Sequence, residues 1–219
     1  QAQNMPSPIE NVQRDLAKVS GQLKLVFIGR VCAIKNLLWG IELFNKMPSS
    51  DWGTETSVQL DIFGPIEDVP YWESCLEAIA KLPQQIKVKY SGEVPSWQIP
   101  QILPNYHFLF SPTKNENYGH SIVESLLSGV PVLISDKTPW ASLTDYQAGW
   151  ACPIETQSQF IEALQTALKM PQSEYTKWIA GSLLYAKDKV WNEAVVNQNI
   201  ALFAGSHTTI LYDWEDHLD

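Results

Sequence analysis

Two glutamates, Glu116 and Glu124, have seven residues between them, and Gly119-His120-Ser121 lies in that interval. The stretch runs Ser111-Pro112-Thr113-Lys114-Asn115-Glu116-Asn117-Tyr118-Gly119-His120-Ser121-Ile122-Val123-Glu124. An apolar run feeds a polar loop, Gly119 marks a tight backbone, and Ile122, Val123, Leu126 and Leu127 give the next segment one apolar helical face. The first amides of a helix have no partner within it, so N–H groups from about Gly119 to Ile122 form a candidate anion site. With a phosphate there, the two carboxylates must face hydroxyl groups instead. The plainer alternatives are a surface glutamate at the favourable end of a helix dipole for Glu124 and a solvated loop acid for Glu116.

The second candidate is Gly29-Arg30-Val31-Cys32-Ala33-Ile34-Lys35-Asn36. Arg30 can bind a phosphate bidentately, Lys35 can add a point charge, and Gly29 allows close approach of backbone. Alone, the pattern fits two ordinary solvated cations equally well. Neither a Walker sequence nor Gly-x-Gly-x-x-Gly accompanies it, so a P-loop or dinucleotide site has no support.

Such residues need a frame to bring them together. Short apolar, β-branched runs at 23–28, 58–63, 86–90, 107–110, 130–134 and 149–152 predict six strands. Helical spacing predicts helices over 36–46, 71–82, 97–103, 120–127, 159–169, 174–189 and 192–203. This alternation predicts an α/β fold, a Rossmann-like doubly wound parallel sheet with helices on both faces. Ligands in such sheets sit at the carboxyl ends of the strands, near the point where strand order reverses. Gly29-Arg30, Gly64-Pro65, Gly92-Glu93-Val94 and Ser111 through His120 all follow predicted strands. Residues 1–20 are polar with two prolines and are expected to be an inter-domain connection, 21–205 the folded domain, and 206–219 an acidic tail.

Composition narrows the partners. Of the net charge of −9, −4 lies in the tail from Asp213 to Asp219, leaving −5 on the rest. That balance opposes nucleic acid, which demands a basic face, but not a small phosphate ligand. Cys32, Cys75 and Cys152 are far apart and form no metal-binding cluster, so packing roles and a reducing cytosol are expected. Nothing approaches eighteen consecutive apolar residues, so no membrane span is expected, and no secretory signal is visible. A chain starting at Gln1 is expected to be a piece of a longer protein.

Taken together, these segments resemble the donor-binding domain of the family 4 retaining glycosyltransferases of the GT-B fold. Glu116 through Glu124 looks like that family's E-x7-E motif, Gly29-Arg30 with Lys35 like its phosphate-binding loop, and Ser128-Gly129-Val130-Pro131-Val132-Leu133-Ile134-Ser135-Asp136 like the strand after the motif. Weaker similarity covers Phe63-Gly64-Pro65, Tyr90-Ser91-Gly92-Glu93-Val94 and Pro139-Trp140, and the whole spans roughly residues 23–203.

The resemblance implies that Arg30 and Lys35, with backbone amides near His120 and Ser121, neutralise the diphosphate of a UDP-sugar or GDP-sugar. It implies that Glu124 holds the ribose diol, Glu116 holds hydroxyls of the transferred sugar near the reacting carbon, and Val94 lies against the base. The site so implied comprises Gly29, Arg30, Lys35, Val94, Glu116, Gly119, His120, Ser121, Ile122 and Glu124, with Glu116, Arg30 and Lys35 nearest the chemistry. No Asp-x-Asp follows a strand, so cations are expected to replace a metal and no cofactor is expected. Reaction is expected by front-face substitution, a hexosyl group passing to a glycan or lipid-linked acceptor in surface polysaccharide synthesis. The family's acceptor domain precedes the donor domain and is missing from this sequence, so the fragment is expected to transfer little. The full-length protein is expected in the cytoplasm, peripheral at the inner face of the membrane. Two alternatives stay open: a binding or regulatory module without catalysis, and part of a GT-B-fold UDP-sugar epimerase.

Overall fold

The computed structural model describes residues 16–190. The predicted helix at 192–203, the acidic tail and most of the 1–20 connection lie outside the described residues.

Six strands form one parallel sheet: β1 (Gln22–Ile28), β2 (Ser57–Phe63), β3 (Ile86–Tyr90), β4 (Phe108–Ser111), β5 (Val132–Ser135) and β6 (Gly149–Cys152). Their order is β3-β2-β1-β4-β5-β6, and every pairing is parallel. Strand order reverses between β1 and β4, which opens a crevice at their carboxyl ends. This is the Rossmann-like α/β fold expected from the alternation.

Side chains alternate across the sheet with the two-residue period of a strand. Leu23, Leu25 and Phe27 of β1, Leu60 and Ile62 of β2, and Phe108 and Phe110 of β4 enter one apolar layer. Val26, Leu109, Val132 and Ile134 enter the other. The first layer is covered by α1 (Leu37–Lys46), α2 (Val69–Ile79) and α5 (Gln157–Lys169), and the second by α3 (Ile99–Ile102) and α4 (His120–Leu127). The last α-helix among the described residues, α6 (Gln172–Tyr185), belongs to both: Tyr175 and Trp178 pack in the first layer and Tyr185 in the second. It passes against residues that precede β4, β5 and β6. Tyr175 donates to the His107 carbonyl at 2.8 Å, Gly129 faces Ile179 and Leu183, and Gly181 lies against the Tyr146 carbonyl.

Several predicted boundaries are corrected. The strand at 107–110 runs from Phe108 to Ser111, with buried His107 at its margin, its amide donating to the Lys24 carbonyl at 2.8 Å and its ring accepting from the Lys24 amide at 2.9 Å. The strand expected at 130–134 begins at Val132, since the Val130 amide is still bonded back to the Ser125 carbonyl, at 2.9 Å. The helix over 97–103 breaks into a single α turn between two 3-10 turns, with Pro100 and Pro104 inside it. The helix over 36–46 starts at Leu37, because Asn36 is left-handed at φ 58° and ends a separate 3-10 turn. The helix over 174–189 ends at Tyr185 and continues as a π turn, Ala186–Val190. All three cysteines are free and buried, as packing residues should be.

Candidate functional site

The two loops singled out above leave neighbouring strands at the reversal point. Gly29 and Arg30 follow β1, while residues 112–119 follow β4 and lead into α4. The loop after β4 is tied on both sides. Thr113, fully buried, donates from Oγ1 to the carbonyls of Ile34 at 3.1 Å and Asn115 at 2.9 Å, and the Lys114 amide donates to Ile34 at 2.8 Å. Ser135, the last residue of β5, donates from Oγ to the Thr113 carbonyl at 2.5 Å, and the Glu116 amide donates to the Lys137 carbonyl at 3.0 Å. The carboxyl ends of β1, β4 and β5 are thereby one hydrogen-bonded unit.

That unit brings Lys35 and Glu116 together, Nζ to Oε2 at 2.5 Å, each side chain about one-fifth exposed (20 % and 19 %). Glu116 also accepts from the amides of Tyr118 and Gly119. Burial alone would raise its pKa, but the Lys35 ammonium and these two amides outweigh it and hold the carboxyl below its ordinary value. Glu116 is thus no solvated loop acid. Its neighbour Tyr118 is held by Trp140, whose indole Nε1 donates to the Tyr118 carbonyl at 2.5 Å, and the ring of Tyr118 lies 5.0 Å from that of His120.

The anion site at the start of α4 is narrower than expected. Gly119 is left-handed (φ 79°), the conformation glycine adopts at least cost, and its carbonyl accepts from the amides of Ile122 and Val123. With the Gly119 amide taken by Glu116 and that of Ile122 by Gly119, only the His120 and Ser121 amides of the expected group lack an acceptor among the described residues. No side chain caps the helix, so these two amides and the positive end of its dipole face outward.

Glu124 is one turn further on and half-buried. It has no side-chain partner among the described residues, and burial pushes its carboxyl up to about 7. A solvated surface glutamate would show no such shift.

Arg30 does not stand free beside Lys35. Its Nη1 meets Glu67 Oε2 at 2.5 Å, in a hollow of about 720 Å³ between residues 30–34 and 67–70. Gly29 also differs from expectation: a Cβ there would meet nothing nearer than 3.8 Å. The glycine that matters is Gly64, at φ 133°, where a Cβ would fall 2.1 Å from the Gly29 carbonyl oxygen. Val94 packs, partly buried, against the same apolar layer as α4, just beyond Gly92 at φ 80°. Among the described residues, no group of three or more His, Cys, Asp or Glu side chains is placed to hold a metal ion.

Glu67, Thr113, Ser135 and Trp140 were not identified as site residues from the sequence. Glu67 follows Gly64-Pro65 by two residues, so reading a little further past the second strand would have reached it. The other three work through backbone contacts, which residue type alone does not signal.

Comparison with known proteins gives the family and the fold. Residues 8–182 match the family model described as glycosyl transferases group 1. No curated protein sequence matches. Among solved structures, HepE from Anabaena, in complex with UDP and glucose, superposes with a TM-score of 0.65 at 17 % identity, over 85 % of this chain and 49 % of that one. A glycosyltransferase from Rickettsia africae gives 0.68 at 13 % identity, over 85 % and 48 %. The C-terminal domain of a glycosyl transferase group 1 protein, LpcC from Francisella tularensis, gives 0.61 at 16 % identity, over 77 % and 86 %. The chain spans about half the length of the first two and most of the isolated C-terminal domain. With four-fifths of its length inside the family model and a GT-B-type sheet beneath it, the chain belongs to the glycosyl transferases group 1 family.

Proposed function

We propose that this chain is the nucleotide-sugar-binding half of a retaining, E-x7-E-type glycosyltransferase, with residues 21–205 as the binding unit, 1–20 as the connection to an acceptor-binding half and 206–219 as a tail. One observation carries the reading. At the point where strand order reverses, the tied loops and the start of α4 carry a cation (Lys35), a carboxylate bound to it (Glu116) and, without a partner among the described residues, two amides (His120 and Ser121) and a carboxyl (Glu124). A nucleoside diphosphate sugar needs this set: positive groups for the diphosphate, and acceptors for the hydroxyls on either side.

In this reading the donor diphosphate lies over the His120 and Ser121 amides between Lys35 and Arg30. Charge gathers on the diphosphate as its bond to the sugar breaks, and fixed donors stabilise that charge without reorganising. Glu124 accepts from the ribose diol, Val94 lies against the base, and Glu116 accepts from hydroxyls of the transferred hexose. Because Lys35 bonds to Glu116, one ammonium links the sugar end to the phosphate end and fixes their spacing. The donor is a UDP-sugar or GDP-sugar; solved relatives hold UDP and UDP-glucose. The acceptor is a glycan or lipid-linked sugar, in keeping with a similar structure, WaaG, that serves lipopolysaccharide biosynthesis. The reaction belongs to the cytoplasmic side of the membrane, relies on Arg30 and Lys35 rather than a metal, and is nearly absent from this half alone. No helix among the described residues is long and apolar enough to cross a membrane.

Calorimetry with UDP and UDP-glucose against two variants tests the reading. Glu124→Ala should weaken both ligands by a similar factor, about tenfold, since both carry the ribose. Glu116→Ala should weaken UDP-glucose about tenfold and leave UDP unchanged or slightly tighter, because Lys35 is released. Equal weakening of both ligands by Glu116→Ala would show the sugar placement to be wrong.

A further inference from the structure

Arg30 carries a counter-ion supplied by the fold itself. The chain after β1 and the chain after β2 continue alongside each other beyond the sheet: Val31 donates to the Pro65 carbonyl at 2.8 Å, Val31 and Ile66 form a parallel bridge, and the amides of Glu67 and Asp68 donate to the Val31 carbonyl at 3.2 and 3.3 Å. This two-stranded extension fixes the Glu67 backbone next to the residue that follows Arg30. Of the two adjacent acids, Asp68 is already committed, its Oδ1 capping α2 by accepting the Tyr71 amide at 3.0 Å. Glu67 is left to meet Arg30, at 2.5 Å.

Resting on the reading of Arg30 as a diphosphate ligand, we infer that Glu67 is an affinity-setting residue of the donor site: it occupies Arg30 in the absence of donor and is displaced by the diphosphate. The two side chains are 55 % and 48 % exposed, so water and salt already weaken their attraction. An exposed ion pair of this kind shifts an equilibrium by about fivefold at most. A diphosphate offers Arg30 a bidentate partner that carries at least two negative charges over its two phosphates, and it wins the exchange. The displaced carboxylate stays near the bound phosphates, tethered by its pinned backbone, and repels them. Glu67 therefore lowers donor affinity on both counts, and it ties that affinity to ligand charge. The same acid keeps Arg30 from collecting lesser anions when no donor is present.

The experiment measures UDP and uridine binding by the intact 219-residue chain carrying Glu67→Gln, Arg30→Ala, or both. At low salt, Glu67→Gln should tighten UDP about two- to fivefold and leave uridine unchanged, and the gain should fade near 0.5 M salt. The gain should largely vanish in the Arg30→Ala background, as coupled groups require. If Glu67→Gln weakens UDP, Glu67 orients Arg30 for the ligand and the inference is overturned. The same holds if UDP affinity does not move while Arg30→Ala still weakens it. If Arg30→Ala leaves UDP binding intact, the fault lies with the diphosphate reading of Arg30 and not with Glu67. Unchanged melting temperatures in all three variants confirm that binding, not folding, is being read.

Discussion

A carboxyl group held near pH 7 in the folded chain leaves a trace in stability. Glu124 titrates at about 7 when folded, against an ordinary 4.5, because burial disfavours its charged form. The folded chain therefore binds more protons than the unfolded chain between these values, and stability falls as pH rises from about 4.5 to 7. Above 7 the loss is complete. Since the side chain is only half-buried, solvent screening cuts the cost to about 1–2 kcal/mol. Glu124→Gln removes the ionisable group and keeps the shape, so the variant should be the more stable protein at pH 8 and no more stable at pH 5. Urea unfolding at both values checks this, and an equal difference at the two would refute it. Glu116 behaves in the opposite sense, since Lys35 and two amides keep it ionised. Two glutamates with seven residues between them were visible in the sequence. Their unlike environments were not, because those depend on which backbone amides and which lysine the fold delivers.

Turns and strand ends show a similar division between what residue type reveals and what it hides. The apolar runs mark all six strands, since a short strand buried on both faces reads as a near-continuous apolar run. Their ends were misplaced by up to two residues at 107 and 130, where the His107 amide and the Pro131 carbonyl still bond to neighbouring strands at the margin of the ladder. The glycines after β1 and β2 look equivalent in the sequence, yet only one is irreplaceable. At Gly64 the positive φ and the carbonyl of Gly29 leave no space for a Cβ, whereas at Gly29 a Cβ meets ordinary contacts. Gly64→Ala should therefore cost about 2–5 kcal/mol, from backbone strain and overpacking together. Gly29→Ala should cost less than about 1 kcal/mol. Denaturant midpoints of the two variants provide the test, and similar losses would contradict the geometry. Because Arg30 and Glu67 both lie within three residues of this contact, the Gly64 change should also disturb nucleotide binding.

The sheet sits between two apolar layers that, among the described residues, share no helix except α6. The layers follow from periodicity, but the bridging path of α6 does not, because its buried residues, Tyr175, Trp178, Gly181, Ser182 and Tyr185, do not mark which layer each will enter. Gly181 is the point of closest passage: a Cβ there would lie 1.9 Å from the Tyr146 carbonyl oxygen. In an unhindered helix, alanine would gain about 1 kcal/mol over glycine. Here the clash outweighs that gain, and Gly181→Ala should lose about 1–3 kcal/mol net. The lost contact also has a predictable character. A peg driven through two stacked boards keeps either from lifting alone, and α6 does this for the two halves of the molecule. The native chain should therefore unfold in a single step, with tryptophan fluorescence and far-ultraviolet circular dichroism following one curve. In Gly181→Ala those curves should separate, the layer around Tyr185 loosening while the layer around Phe108 still holds.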